Sequence, residues 1–227
     1  MGRDYLIAEE GAILWDLIKT DLEWLAHFLV ALDELIKERE TRDIADVENR
    51  YHSWHWQDII GTQLRQSYIV ALMSATERYL LQICSDVGAI LRTPIDLGDF
   101  TRGTVAKARK FLTKNAAFCT PVPAAWDRLA GVYRLRNIVV HNGGILESDN
   151  KVRWVSEFVR RTRSPGLKFE SASVEIMPEF CQFTHEHIVK FFRELHGEYA
   201  ALCRDRRDHN SPDLPVVEDR TVTSLRR

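Results

Sequence analysis

The chain carries one short stretch whose residue types could do chemistry, RLRNIVVHNGG, which runs from Arg134 to Gly144. Within it, Arg136 and Asn137 precede three β-branched residues, and His141 follows them. A histidine can move a proton near neutral pH, and an arginine can hold the negative charge that develops on phosphate oxygens. The combination favours phosphoryl chemistry, in which Asn137 would hydrogen-bond a phosphate or orient the histidine.

Both charged residues also have ordinary structural explanations. On a helical wheel at about 100° per residue, Arg136 falls at the centre of an apolar stripe that includes Leu129 and Val139. A guanidinium buried alone is costly, so it must pair with an internal carboxylate, such as Glu77, or face a wet interface. His141 ends the helix, where the dipole favours its protonated form and where it could cap the last carbonyl groups. The residues alone leave these explanations open.

Helical periodicity dominates the elements that must position this stretch. Apolar residues recur at helical spacing through residues 4–38, as one helix or two, and again through residues 60–87. A shorter helix that Thr101 could cap comes next, and a fourth helix at 124–140 is stopped by two glycines. The predicted fold class is all-α, a helical bundle with two long antiparallel N-terminal helices. The apolar positions of the first pattern are Leu14, Leu17, Ile18, Leu22, Leu25, Phe28, Leu29, Leu32, Leu35 and Ile36.

Residues 151–177 change character. The segments VRWV, LKFE and SVEI alternate in the manner of strands around the turn signal Ser164-Pro165-Gly166, which predicts a small β-hairpin insertion after the motif helix. Pro178 suits the first turn of a C-terminal helix. One helical domain is therefore predicted over residues 1–202, followed by a charged, flexible tail at 203–227.

Charge is distributed unevenly, although the formal net charge at pH 7 is only −2. Residues 1–60 hold six Lys/Arg and fourteen Asp/Glu, a net of −8, whereas residues 101–168 hold fourteen Lys/Arg and four Asp/Glu, a net of +10. A basic segment around the motif favours a polyanionic partner, unless the two segments neutralise each other across the fold. Arg160, Arg161 and Arg163, beside the predicted turn, are candidates for gripping nucleic-acid phosphates.

Other functional classes find less support in the residues. The four cysteines are far apart and form no CxxC pair, which indicates reduced thiols in a cytoplasmic protein. No membrane partner is expected, since no apolar run approaches ~20 residues and the N-terminus is not typical of a signal peptide. In His185-Glu186-His187 the imidazoles point ~200° apart on a helix, and His52 and His55 have no companion cysteine, so neither a metal nor another cofactor is predicted.

The motif and the order of helices together resemble the HEPN superfamily. Arg136-Asn137-x-x-x-His141 is similar to its R-x(4–6)-H signature, in which a polar residue follows the arginine. Two long early helices and a motif at the end of a late helix match the layout of that superfamily over residues 1–202. The resemblance implies a metal-independent endoribonuclease that acts as a homodimer, in which the motifs of two subunits meet across a two-fold axis and line a cleft for RNA.

The resemblance also implies residue roles and a biological setting. His141 would serve in general acid/base catalysis, Arg136 would stabilise the transition state, and Asn137 would position the phosphate or the histidine. Many relatives act as toxins or in defence against phage, so an antitoxin or defence-system partner is expected. Gly143 stands where the subfamily paired with nucleotidyltransferase antitoxins has a tyrosine, and some members lack nuclease activity. The alternative is therefore a catalytically silent helical module that binds a partner protein or a nucleotide.

Overall fold

The computed structural model describes residues 3–45, 59–93, 103–170 and 172–210. These residues form six helices and a two-stranded antiparallel hairpin, which confirms the predicted all-α bundle with a small hairpin insertion. The helices are α1 (Arg3–Ala45), α2 (Thr62–Leu91), α3 (Thr104–Lys114), α4 (Pro123–Asn142), α5 (Asp149–Thr162) and α6 (Pro178–Asn210), and the strands are β1 (Leu167–Glu170) and β2 (Ser173–Ile176).

Helix α2 lies at the centre of the bundle. It packs against α1, α3, α4 and α6, and strand β2 also contacts it. Contacts between α1 and α2 show that the two run antiparallel, because Asp33 of α1 lies beside Arg65, whereas Asp21 hydrogen-bonds Arg78 farther along α2. The predicted pair of long antiparallel helices is therefore confirmed, and α1 is a single helix.

The VRWV segment is helical, so the prediction of a strand there is wrong. Helix α5 buries Val155, Phe158 and Thr162, whose spacing of three and four residues is that of one helical face. Four residues are too few to separate this period from strand alternation. The Ser164-Pro165-Gly166 turn joins α5 to β1, and the hairpin itself reverses between Glu170 and Ser173.

Two predicted boundaries also differ from the structure. Helix α6 begins at Pro178, as predicted, but it continues to Asn210 and so includes the first part of the predicted tail. Residues 211–227 lie outside the described residues, as does Thr101, the predicted cap. Helix α3 begins at Thr104, directly after Gly103.

The packing of α4 against α5 depends on one glycine. A Cβ built at Gly131 would lie 2.1 Å from the ring of Phe158, which is fully buried. Because real side chains do not approach so closely, any larger residue here must push the two helices apart.

We expect Gly131→Ala to lower the free energy of unfolding by about 1–3 kcal/mol, because the new methyl group would overpack the α4–α5 contact. Gly197→Ala is the matched control, since a Cβ there meets nothing within 4 Å and the residue is exposed in α6. That change should raise the free energy of unfolding by roughly 0.5–1 kcal/mol, through helix propensity. Urea unfolding followed by circular dichroism measures both, and equal effects would contradict the packing argument.

Candidate functional site

Helix α4 presents the predicted catalytic residues near its C-terminal end. The helix begins at Pro123, whose fixed backbone angle and missing N–H suit a first turn. It ends at Asn142, because Gly143 adopts a left-handed conformation with φ of 58° and Gly144 N donates to Ile138 O at 3.4 Å. The predicted helix and its glycine stop are confirmed.

The hairpin holds this end of α4 in place. Gly144 O accepts a hydrogen bond from Val174 N at 2.9 Å, and Leu146 N donates to Ala172 O at 2.6 Å. Gly144 has a φ of +83°, and a Cβ there would lie 2.7 Å from Gln66 Nε2. The second glycine therefore does more than end the helix, since it lets the chain pass close to α2.

Over α4 as a whole Arg136 lies within the buried stripe, but in the last two turns of the helix one side of it is open. Val132, Leu135 and Val139 are buried, and at about 100° per residue they fall 40°, 100° and 60° to one side of Arg136. On the other side, Leu129 and Trp126 are buried at 20° and 80° from Arg136 in the first half of the helix, whereas Val140, at 40° in the last turns, is exposed. The wheel was therefore wrong only for Val140, which it counted among the apolar residues of the stripe.

The guanidinium of Arg136 is paired inside the chain. Its Nη2 lies 3.7 Å from Glu77 Oε2 on α2, and the two side chains are only 22% and 18% exposed. Its Nη1 donates to Asn137 Oδ1 at 3.0 Å, whereas its buried Nε has no hydrogen-bond partner among the described residues. The internal partner expected from the sequence is thus present.

His141 is exposed in the last turn of α4. Five residues of helix place it about 140° around the axis from Arg136 and about 7.5 Å along it. In the last two turns of α4, Asn137 and Val140 therefore lie between Arg136 and His141 around the helix. The two side chains do not converge on one point within a single chain.

Arg134 is a neighbour of His141 that the sequence reasoning missed. Seven residues separate them, so they lie about 20° apart around α4 and about 10 Å apart along it. The guanidinium of Arg134 stacks over the ring of Trp154 on α5, 4.3 Å from its centroid. The sequence could indicate only that Arg134 and His141, seven residues apart, share one side of a helix. No neighbouring residues in the sequence predict the contact between Arg134 and Trp154.

The three candidate phosphate-binding arginines lie at the far end of α5. Trp154 contacts Arg134 and Phe158 contacts Gly131, so α5 runs antiparallel to α4. Beyond Phe158, α5 therefore continues toward the start of α4, about 15 Å or more from His141. The residues at that end are Arg160, Arg161 and Arg163, all exposed.

Where the structure describes them, the acidic and basic segments lie on different parts of the fold. Acidic α1 packs against α2 and α6, and its Asp21 and Asp33 pair with arginines of α2. Within the basic segment, Arg109 pairs with Asp127 at 2.7 Å. The basic surface of α4 and α5 is therefore not covered by α1.

The histidines of His185-Glu186-His187 make separate structural contacts. Tyr68 OH lies 2.8 Å from His185 Nδ1, whereas His187 Nε2 lies 3.2 Å from the carbonyl oxygen of Ala125. Burial lowers the pKa of both histidines below the ordinary value of 6.5. In the described part of the chain, no three His, Cys, Asp or Glu side chains are grouped to hold a metal ion, and the two histidines at 52 and 55 fall outside it.

Comparison with known proteins gives no match, either to a protein-family model, to a curated protein or to a solved structure. Across the four described ranges, no helix combines the length and the apolarity that a membrane crossing requires.

The pairing of Arg136 with Glu77 can be measured by a double-mutant cycle. We expect Arg136→Gln and Glu77→Gln to show a coupling on the order of 1 kcal/mol in the free energy of unfolding, because both side chains are largely but not fully buried. The more exposed pair Arg109–Asp127 is the control, with an expected coupling below about 0.5 kcal/mol. A coupling near zero for the first pair would show that Glu77 does not hold the guanidinium.

Stability should depend on the buried histidines between pH 7.5 and 5.5. Because their pKa values are lowered in the folded state, the unfolded chain binds more protons below about pH 6.5, and the free energy of unfolding should fall as the pH drops. His187→Gln, which can still donate to Ala125 O, should flatten this dependence. Urea unfolding at several pH values measures it. An unchanged pH dependence in His187→Gln would contradict the assignment.

Proposed function

We propose that the chain is a metal-independent endoribonuclease that acts as a homodimer of HEPN-like domains. The observation that carries the proposal is an exposed histidine, His141, at the firmly held end of α4, aligned with Arg134 on one basic face. Arg136 and Asn137 occupy the same helix at the spacing of the R-x(4–6)-H motif. No hydrogen bond or ion pair joins the His141 side chain to another of the described residues, so a substrate can reach its imidazole.

The proposed reaction needs only a base, an acid and a positive charge. His141 removes the proton from a ribose 2′-OH, or protonates the leaving 5′-oxygen. The 2′-oxygen attacks the adjacent phosphorus as the bond to the 5′-oxygen breaks, which yields a 2′,3′-cyclic phosphate and a 5′-hydroxyl. Arg136 stabilises the negative charge on the phosphate oxygens in the transition state, and Asn137 orients the guanidinium or the phosphate.

The divergence of Arg136 and His141 within one chain supports a site shared by two chains. Side chains that point about 140° apart on one helix cannot grip the same phosphate. A two-fold axis beside the exposed face of α4 would bring Arg136 of one subunit toward His141 of the other. Exposed Val140, which lies between them on the helix, would be covered in that dimer.

The same face suggests how RNA would be held. The ring of Trp154, already stacked with Arg134, and the exposed arginines at the far end of α5 would accommodate a single strand over about 15 Å. A cytoplasmic toxin or phage-defence nuclease, held by an antitoxin or a defence-system partner, is the setting we propose.

The ion pair of Arg136 favours a second candidate function. Because Glu77 neutralises the guanidinium from inside the chain, Arg136 can be explained by folding alone. In that case the domain would be a catalytically silent module that binds a partner protein or a nucleotide.

RNA cleavage in the presence of EDTA tests the proposed function. Purified protein should cleave total RNA, and Arg136→Ala/His141→Ala should lower the rate at least ~100-fold, because an acid/base group and a charged stabiliser are both removed. The new ends should be 2′,3′-cyclic phosphates, detectable by their resistance to ligation until the ring is opened. Arg193→Ala, at an exposed position of α6, is the matched control and should retain full activity.

If the wild type leaves several structured and unstructured RNAs intact, the endoribonuclease proposal is wrong and the silent module takes its place. Equal cleavage by the wild type and the double variant would indicate a contaminating nuclease and would equally remove the support for the proposal.

A further inference from the structure

A stack of three side chains joins α4 to α5 and leads from the core to the surface. The ring of Trp154 stacks with that of Phe158, with 5.4 Å between the ring centroids and 14° between the planes. Phe158 is fully buried and lies against Gly131, so the packing of the two helices fixes its position. The guanidinium of Arg134 lies over the ring of Trp154, 4.3 Å from its centroid. Exposure increases from Phe158 through Trp154 to Arg134, so the guanidinium is the part of this α4–α5 stack that solvent reaches most.

The guanidinium of Arg134 has no carboxylate partner. It makes no ion pair and no side-chain hydrogen bond with any residue in the described ranges, whereas Arg136, two positions on, pairs with Glu77. An arginine that rests on an indole and has no other partner presents a planar, delocalised and charged face to solvent.

The acidic residues of α4 and α5 leave this charge in place. Asp127 of α4 pairs with an arginine of α3 at 2.7 Å, and Glu157 of α5 lies 4.0 Å from an arginine of its own helix. Asp149, in the first turn of α5, falls about 140° from Trp154 around the helix axis. The surroundings of Arg134 therefore favour a ligand that carries negative charge.

Basic groups continue the line of the stack in both directions. His141 lies seven residues after Arg134 on α4, and Arg161 lies seven residues after Trp154 on α5. Seven residues of helix correspond to about 20° of rotation and about 10 Å of rise. Because α4 and α5 run antiparallel, His141 and Arg161 lie at opposite ends of this line, about 20 Å apart, with the stack between them.

We propose that the Arg134 guanidinium, held by Trp154, is a stacking site for one unpaired nucleobase of a single-stranded RNA whose phosphates follow the line from His141 to Arg161. Guanidinium planes and aromatic rings are the surfaces on which proteins stack the bases of single strands, and basic side chains along the same path hold the phosphates. That the polymer is RNA rests on the proposed function, whereas the stack would serve a catalytically silent nucleotide-binding module equally well.

The site should select single strands without selecting a particular base. In a duplex both faces of a base are covered by its neighbours, so only an unstacked base can lie on the guanidinium. Every base has a π-face, so stacking alone distinguishes the four bases only weakly.

A phosphate is the other group that an unpaired guanidinium could bind, and a lysine at position 134 separates the two ligands. Lysine keeps the positive charge but has no planar face. If Arg134 held a phosphate, Arg134→Lys would keep most of the affinity. If Arg134 stacks a base, lysine loses the contact, while the number of neutralised phosphates, and with it the salt dependence, stays the same.

Fluorescence anisotropy of a labelled 2′-O-methyl RNA strand of about ten nucleotides, added to the full wild-type chain, tests the proposal. This strand lacks the 2′-OH that the proposed reaction requires, so binding is measured whether or not the chain cleaves RNA. A strand of equal length with abasic residues carries the same charge but offers no base. We expect the strand with bases to bind at least ~10-fold more tightly than the abasic strand and than the matching duplex.

Three variants assign this difference to the stack. Arg134→Lys should weaken binding of the strand with bases by about 10-fold, without changing binding of the abasic strand or the salt dependence. Trp154→Leu, which removes the ring below the guanidinium, should have the same effect in a chain that urea unfolding shows to be folded. Arg153→Lys is the matched control, because Arg153 is exposed beside Trp154 but lies over no ring among the described residues. It should bind both strands as the wild type does.

The proposal is overturned if the strands with and without bases bind alike, if Arg134→Lys binds as the wild type does, or if Arg153→Lys weakens binding as much. Absence of binding to the single strand up to ~100 μM in low salt would also overturn it. The nuclease proposal fails separately. Binding as expected without cleavage of total RNA would leave the stack as the nucleotide site of a silent module, whereas cleavage with normal binding by Arg134→Lys would remove the stacking site and keep the nuclease.

Discussion

Helix α2 is buried on several sides, so its polar side chains need hydrogen-bond partners inside the protein. The rest of the structure depends on these hydrogen bonds. Arg65, which is almost fully buried, donates to the carbonyl oxygen of Ile176 at 3.3 Å, and Gln66 donates to that of Val174 at 3.4 Å. Tyr68 pairs with His185 of α6. Three polar residues within about one turn of α2 therefore fix the hairpin and the last helix against the centre of the bundle.

The same helix also sets the position of the candidate site. Gln66 lies against Gly144, where the hairpin holds the end of α4, and Glu77 pairs with Arg136 farther along the same helix. The backbone beside His141 is thus positioned by packing, while its side chain stays in solvent. Arg136 already forms an ion pair with Glu77 within the fold. In any catalytic role, a phosphate must therefore compete with Glu77 for the guanidinium.

Much of the fold could be predicted from local sequence, because helical periodicity over many turns is a strong signal and left-handed glycines end helices wherever they occur. The hairpin strands LKFE and SVEI were predicted from another local signal, the alternation of apolar and polar residues. VRWV was assigned wrongly because four residues satisfy both periods, and only the burial of Val155 and Phe158 on one face of α5 separates them. At the site, the motif and the end of its helix could be predicted. The contact of Arg134 with Trp154 could not, because it joins residues twenty positions apart on two helices.

The sequence by itself determined that α1 is a long helix with a broad apolar side, since the pattern that includes Leu17, Phe28 and Leu35 is local. It could not determine which part of that side is covered, because Ile18 and Leu17 are neighbours in the pattern but differ by about 100° around the axis. Only the docking of α2 and α6 buries Ile18 and leaves Leu17 exposed. The same reason applies to Arg136, whose guanidinium lies among buried residues and pairs with Glu77 only because α2 packs against α4.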